Sequence, residues 1–109
     1  MEYPVTFNGV VLSDSVMADV TVSCTNNVQR ADILFYSPVG NIGSITLTPM
    51  QPQASEKEFY AGNQKLHINK ITFSAAFGVA KGQIICEGYA TDQNGNDPAQ
   101  FNFQLAQWG

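Results

Sequence analysis

Residues 15–25, SVMADVTVSCT, decide the fold class, because every second residue is apolar along the whole stretch. A period of two places successive side chains on opposite faces of a β-strand, whereas a helix repeats every 3.6 residues. The stretch therefore predicts a strand that buries one face against a core. That face consists of Val16, Ala18, Val20, Val22 and Cys24.

Later stretches alternate in the same way. Residues 84–90 and 101–105 do so, and residues 65–73, KLHINKITF, alternate with one change of face. A single β-bulge at Asn69–Lys70 explains that change, because a bulge adds one residue to a strand. Residues 50–62, MQPQASEKEFYAG, are the least strand-like and predict a loop or one helical turn.

These strands define the expected architecture. About seven short strands, with turn residues about every 8–12 positions, are typical of a β-sandwich or barrel. Hairpin-like spacing makes the sheets antiparallel, and 109 residues are the length of one domain. We therefore expect an all-β fold, an antiparallel two-sheet β-sandwich, in which residues 1–109 form a single domain.

Charge and hydropathy argue against two classes of partner. The chain has 5 Lys and Arg against 9 Asp and Glu, for a net charge of −4, and its cations are scattered. Nucleic-acid binding is not expected without a basic stripe. No apolar run approaches the roughly 18 residues that span a bilayer, so membrane insertion is not expected either. The first residues, Met1–Pro4, carry no signal-peptide pattern, which indicates synthesis without export or a mature segment with an added Met.

Two cysteines, Cys24 and Cys86, lie on the apolar faces of their predicted strands. If they face each other across two sheets, a disulfide is geometrically natural, and loop closure would stabilise the fold by about 4 kcal/mol. The alternative is a pair of buried free thiols that behave as small hydrophobes. The sequence leaves both open.

An acidic and amide-rich cluster lies near the C-terminus and has two interpretations. Asp92, Asn94, Asn96 and Asp97 offer oxygen atoms at nearby positions, which suits Ca²⁺. The spacing departs from an EF-hand loop, and no Glu closes it. The favoured interpretation is a hairpin loop with Asn94-Gly95 at the bend, where glycine supplies a positive φ. No other cofactor is predicted.

No catalytic constellation is recognisable, so an enzyme is not expected. His67 lies between Leu66 and Ile68, and it points to solvent if those two residues point inward. No nucleophile motif such as G-x-S-x-G accompanies it. Glu56 and Glu58 flank Lys57, and such a run is more often a solvated face than a glycosidase pair. A small hydrolase that uses His67 is the least favoured alternative.

Aromatic residues are the better lead to a function. Tyrosine and tryptophan rings give a large contact area at low entropy cost on surfaces that bind proteins or sugars. The competing interpretation is that these rings pack under loops or against a neighbouring domain. The candidate ligand-binding residues are Tyr36, Phe59, Tyr60, Tyr89 and Trp108.

Two stretches resemble bacterial and phage immunoglobulin-like domains. Residues 33–49, ILFYSPVGNIGSITLTP, resemble the middle strands of those domains, and residues 86–106, CEGYATDQNGNDPAQFNFQLA, resemble their last hairpin. The spacing of the two cysteines is similar to that of the inter-sheet pair. The sequence departs from the vertebrate pattern, since Phe35 stands where Trp is usual and Ile84 where Tyr is usual.

The resemblance implies a non-enzymatic module for binding, adhesion or spacing. Such a module would be located on a bacterial surface or a phage particle, with a protein or a glycan as its partner. The alternative is a carbohydrate-binding module that uses exposed aromatic residues, with structural Ca²⁺ at the terminal loop.

Overall fold

The computed structural model describes residues 3–13, 15–61, 64–75, 81–92 and 94–109, which form eight β-strands. The prediction of an all-β antiparallel fold is confirmed, with eight strands rather than about seven. In this part of the chain no helix has the length and hydropathy needed to cross a membrane. The strands are β1 (Val5–Ser13), β2 (Val16–Thr25), β3 (Val28–Ser37), β4 (Gly40–Leu47), β5 (Gln53–Ala61), β6 (Gln64–Ala75), β7 (Gly82–Asp92) and β8 (Ala99–Trp108).

The strands form two four-stranded sheets, each built from consecutive strands. Sheet 1 has the order β1-β2-β3-β4, sheet 2 has the order β5-β6-β7-β8, and all neighbours pair antiparallel. In an immunoglobulin domain, by contrast, each sheet contains strands that are far apart in the sequence, and Greek-key connections join them. The strand order therefore differs from the one that the resemblance implied, because each strand here pairs with its neighbour in the chain.

Buried side chains of both sheets form one hydrophobic cluster in a sandwich-like arrangement. The strand face predicted from residues 15–25 is confirmed for Val16, Ala18, Val20 and Val22, which are fully buried, whereas the fifth predicted residue, Cys24, is only half-buried. Aromatic rings connect the two sheets: the Phe35 ring of β3 lies 6.1 Å from the Phe59 ring of β5, centroid to centroid. The largest fully buried side chains are Phe35, Ile33, Leu47, Leu66, Ile68, Ile71, Ile84, Val16, Val20, Val22 and Cys86.

Strand β5 corrects the prediction of a loop or helical turn for residues 50–62. The strand has no regular apolar alternation that would predict it: only Ala54 and Phe59, five positions apart, pack against the core. Glu56 has a φ of +53°, which interrupts the alternation between them. Such a positive φ is uncommon outside glycine.

The bulge predicted at Asn69–Lys70 is confirmed in β6. Ile68 pairs with Gly88 and Lys70 pairs with Glu87, so Asn69 is an extra residue relative to β7. On the other side of β6, Glu56 lies at the same level between the pairs Ser55–Lys70 and Lys57–Ile68. The inward face of β5 therefore changes from even-numbered to odd-numbered residues at Glu56, because opposed residues share a face of the sheet.

The two cysteines are free thiols, so the disulfide that the sequence left open is not formed in the structure. Cys24 is only half-buried near the end of β2, and Cys86 is fully buried in β7. Burial raises the pKa of the Cys86 thiol to about 12. Because the thiolate is the reactive form, Cys86 should be inert near neutral pH.

Thiol labelling at pH 8 should therefore count one cysteine in the native protein and two after unfolding in guanidinium chloride. The fast-reacting thiol is expected to be Cys24, so the variant Cys24→Ser should show no fast reaction. Two fast thiols in the native state would contradict the burial of Cys86. No thiol in denaturant without reductant would show that a disulfide forms.

Candidate functional site

The outer face of sheet 2 carries a cluster of charged and aromatic side chains, which we call the aromatic–carboxylate patch. Cross-strand pairing brings its members together, since Glu58 lies opposite His67, Tyr60 opposite Lys65, and His67 opposite Tyr89. Three neighbouring strands thus supply one continuous surface. The patch consists of Glu56, Glu58, Tyr60, Lys65, His67 and Tyr89.

His67 is the centre of the patch. Its Nε2 lies 3.3 Å from Oε2 of Glu56, and its Nδ1 lies 3.1 Å from Oε1 of Glu58. The Tyr89 ring stacks on the imidazole with centroids 4.8 Å apart and planes 15° apart. The side chain faces outward as predicted, but it is only 13% exposed because these three neighbours cover it. The expectation that His67 is exposed to solvent is therefore corrected.

Glu58 accepts hydrogen bonds from several groups at once. Its Oε1 lies 3.2 Å from Lys65 Nζ, and its Oε2 accepts the Tyr60 hydroxyl at 3.1 Å. The hydrogen bond to His67, followed by those to Lys65 and Tyr60, lowers the pKa of Glu58 below its ordinary value. The contact between Glu58 and Lys65 raises the pKa of Lys65. Both groups are thus held in their charged forms.

Tyr60 and Glu56 are the most exposed members of the patch. The Tyr60 residue is 64% exposed, and the Glu56 side chain is 76% exposed. Lys65 Nζ lies 5.8 Å from the centroid of the Tyr60 ring, within the range of a cation–π contact. The ring is therefore fixed by its hydroxyl and by a neighbouring ammonium group while much of it stays open to solvent.

The other predicted aromatic residues do not join the patch. Tyr36 is half-buried on the outer face of sheet 1, where its hydroxyl donates to Oδ1 of Asp19 at 2.9 Å, a bond that raises the pKa of Tyr36. Phe59 packs partly against the core, with its ring over Gly43.

The expectation of an accessible Trp108 is corrected, because this residue is 5% exposed. Its Nε1 donates to Oε1 of the buried Gln29 at 2.9 Å. Its ring also lines an open cavity of about 740 Å³, together with Phe73 and Pro49.

The cluster near the C-terminus has the contacts of a turn. Oδ1 of Asp92 accepts the backbone N–H groups of Asn94 and Asn96 at 2.9 and 2.8 Å, and Gly95 has a φ of +80° at the bend. Asp97 has a positive φ of 54°. Within the described ranges no three acidic, histidine or cysteine side chains are grouped to hold a metal ion, and Gln93 lies outside those ranges.

The sequence contained an unused signal for the patch. Glu56 and Glu58 are two positions apart, as are Lys65 and His67, which places each pair on one face of its strand. Recognising the patch required β5 to be identified as a strand, paired with β6 through Ala61 and Gln64. The sequence instead predicted a loop or helical turn for residues 50–62, because an exposed edge strand lacks an apolar stripe.

The patch has the properties of a binding surface. It lies on paired strands, its charged groups are oriented by one another, and its exposed parts combine a ring with a carboxylate. Rigid, prearranged side chains reduce the entropy cost of association. No protein-family model matches this chain, and comparisons with curated proteins and with solved structures give no match either.

Proposed function

We propose that this protein is a non-enzymatic interaction module that binds its partner through the aromatic–carboxylate patch. The observation that carries the proposal is Tyr60, an exposed tyrosine whose hydroxyl is fixed by Glu58 at 3.1 Å. Tyrosine is among the residues enriched at the energetic centres of protein interfaces. The bacterial surface or phage particle implied by the resemblance stays a prediction.

The geometry around His67 supports binding over hydrolysis. Both imidazole nitrogens face carboxylates, Glu56 on one side and Glu58 on the other. A general base in acyl transfer needs one nitrogen directed at a nucleophile. In this arrangement His67 orients the two carboxylates, and the absence of enzymatic activity remains part of the proposal.

A carbohydrate is the second candidate partner, and the composition of the surface next to the patch favours it. Gln100 and Asn102 of β8 are exposed and lie opposite Tyr89 and Glu87 of β7. Amide side chains both donate and accept hydrogen bonds, as sugar hydroxyls do. Together with the Tyr60 ring they provide apolar and polar contacts on one sheet face.

Two measurements test this function. The purified protein is applied to a glycan array, and a photo-crosslinking amino acid at position 60 is used to capture protein partners in an extract of the producing cells. The matched control carries the crosslinker at Val11, which is 63% exposed on β1 of the other sheet. Capture by position 60 alone, or a glycan signal that depends on Tyr60, is the expected result.

The variants Tyr60→Ala and Tyr60→Phe make the test specific to the ring. Truncation of a central interface residue costs about 2 kcal/mol or more, so Tyr60→Ala should weaken binding by about 30-fold. Tyr60→Phe keeps the ring and should retain most of the affinity. Equal capture at positions 60 and 11, combined with a blank array, would rule out the patch as the binding surface.

A further inference from the structure

We propose that the groove between β4 and β5 binds an extended peptide as an additional β-strand, with a carboxylate side chain of that peptide directed at Lys57. This interaction goes beyond the proposed function, because it uses a different surface. Glu58 and Tyr60 face outward on β5, whereas Lys57 and Phe59 line the groove. One edge strand therefore contributes to both surfaces.

The backbone of the groove offers unpaired hydrogen-bonding groups. β4 pairs only with β3 and β5 pairs only with β6, so each is an edge strand of its sheet. All residues of both strands are described, and between them the chain forms only the backbone pair Thr48–Gln51, in the connecting turn. An edge strand leaves the N–H and C=O groups of alternate residues free to pair with another strand.

The two edges diverge from a common point and leave a space between them. Thr48 and Gln51 exchange backbone hydrogen bonds of 3.2 and 3.0 Å, after which β4 continues in sheet 1 and β5 begins sheet 2. The Phe59 ring against Gly43 joins the strands again farther along. Between these two points lies a groove of about 540 Å³, lined by residues 44–47 of β4 and by residues 53–55, Lys57 and Phe59 of β5, with Gln51 at the turn.

The dimensions of the groove suit a short strand. Four to five residues of an extended chain span about 13–17 Å at about 3.3 Å per residue, which matches the length of the lining segments. Ser44 and Thr46 on β4 and Gln53 and Ser55 on β5 border the groove as exposed polar residues, so water reaches its rim. Peptides that add a strand to a sheet edge gain affinity from backbone hydrogen bonds and selectivity from alternate side chains.

Charge selects the chemistry of the peptide. Among the described residues that line the groove Lys57 alone is charged, and it forms no ion pair with another described residue. The change of face at Glu56 places Lys57 on the same side as the buried Ile68, and therefore at the groove. A cation at this position favours a peptide with a carboxylate, although the whole chain carries a net charge of −4.

The test uses two synthetic seven-residue peptides with capped ends, in which threonine and valine alternate around a central Glu or a central Lys. Binding is measured by fluorescence anisotropy, and amide hydrogen exchange locates the site. We expect the Glu peptide to bind about five- to tenfold tighter than the Lys peptide, because one exposed charge pair is gained and one repulsion is avoided. New protection should appear in residues 44–47 and 53–57.

Three variants and a modified peptide test the charge preference, the backbone pairing and the independence of the groove from the patch. Lys57→Glu should reverse the preference between the two peptides, whereas Lys70→Glu, on the outer face of β6, should not. Methylation of alternate peptide N–H groups should abolish binding, because it removes the backbone donors. Tyr60→Ala should leave peptide binding unchanged, so failure of the patch and failure of the groove are distinguishable.

Three results would overturn the proposal. They are the absence of binding by both peptides, equal binding of the methylated peptide, and protection outside β4 and β5. Protection of β4 and β5 that rises with protein concentration in the absence of peptide would assign the groove to a second copy of this chain.

Discussion

Replacing Trp108 by alanine is expected to lower the free energy of unfolding by about 3–5 kcal/mol. The Trp108 ring packs 6.3 Å from the Phe7 ring and 5.9 Å from the Phe73 ring, centroid to centroid. The contact with Phe7 joins β1 and β8, the first and last strands, which belong to different sheets. Truncation leaves a cavity and removes the donor to the buried Gln29, whose Oε1 also accepts the Tyr3 hydroxyl at 3.0 Å.

Denaturant unfolding followed by far-UV circular dichroism measures this loss, since Trp108 is the only tryptophan and its fluorescence disappears with it. Trp108→Phe keeps most of the apolar volume and should lose less than half as much stability. The control Met50→Ala, at a position 90% exposed, should change stability by less than about 0.5 kcal/mol. A loss below about 1 kcal/mol in Trp108→Ala would show that this residue is not part of the core.

Gly88→Ala is expected to destabilise the protein by about 1–3 kcal/mol, although it adds a single methyl group. A Cβ at Gly88 would collide with the backbone carbonyl oxygen of His67 and would lie 3.1 Å from Cζ of Phe101. A flexible side chain can move aside, but a carbonyl in a paired strand cannot move without disturbing β6. The change should therefore also displace His67 and weaken the aromatic–carboxylate patch.

Thermal unfolding checks this prediction. In a domain near this size the midpoint temperature falls by about 4–8 °C for each kcal/mol of lost stability. Glu87→Ala, an exposed neighbour on the same strand, is the control and should shift the midpoint little. The amide and side-chain resonances of His67 and Tyr89 should move in Gly88→Ala and stay in place in the control. An unchanged midpoint together with unchanged resonances would contradict the close approach of β6 and β7.

The strands with an apolar face could be predicted from the sequence. In β2 the alternation predicts five inward residues, of which Val16, Ala18, Val20 and Val22 are fully buried, because burial of one face requires that period. The fifth, Cys24, is half-buried because it lies near the end of the strand. The bulge in β6 could also be predicted, since a single extra residue explains a change of face between Ile68 and Ile71. In a strand that buries one face, the alternation of apolar and polar residues shows directly which side chains point inward.

The edge strand and the order of the strands could not be predicted in the same way. β5 is largely exposed, and its identity comes from pairing with β6 rather than from its own pattern. The patch depended on that pairing, so the spacing of Glu56 and Glu58 and of Lys65 and His67 did not by itself bring His67 next to Glu58. The meander order could not be predicted because short turn and strand motifs are common to many β folds and do not specify which strands become neighbours.

The turn at Thr48–Gln51, which closes one end of the groove, also divides the chain into two contiguous halves. Each half completes its own strand pairing, because no strand pairs with a partner from the other half. During synthesis the first four strands can pair before the last four have emerged, yet their apolar face stays uncovered until the strands of sheet 2 are present. The halves are thus independent in hydrogen bonding and interdependent in burial.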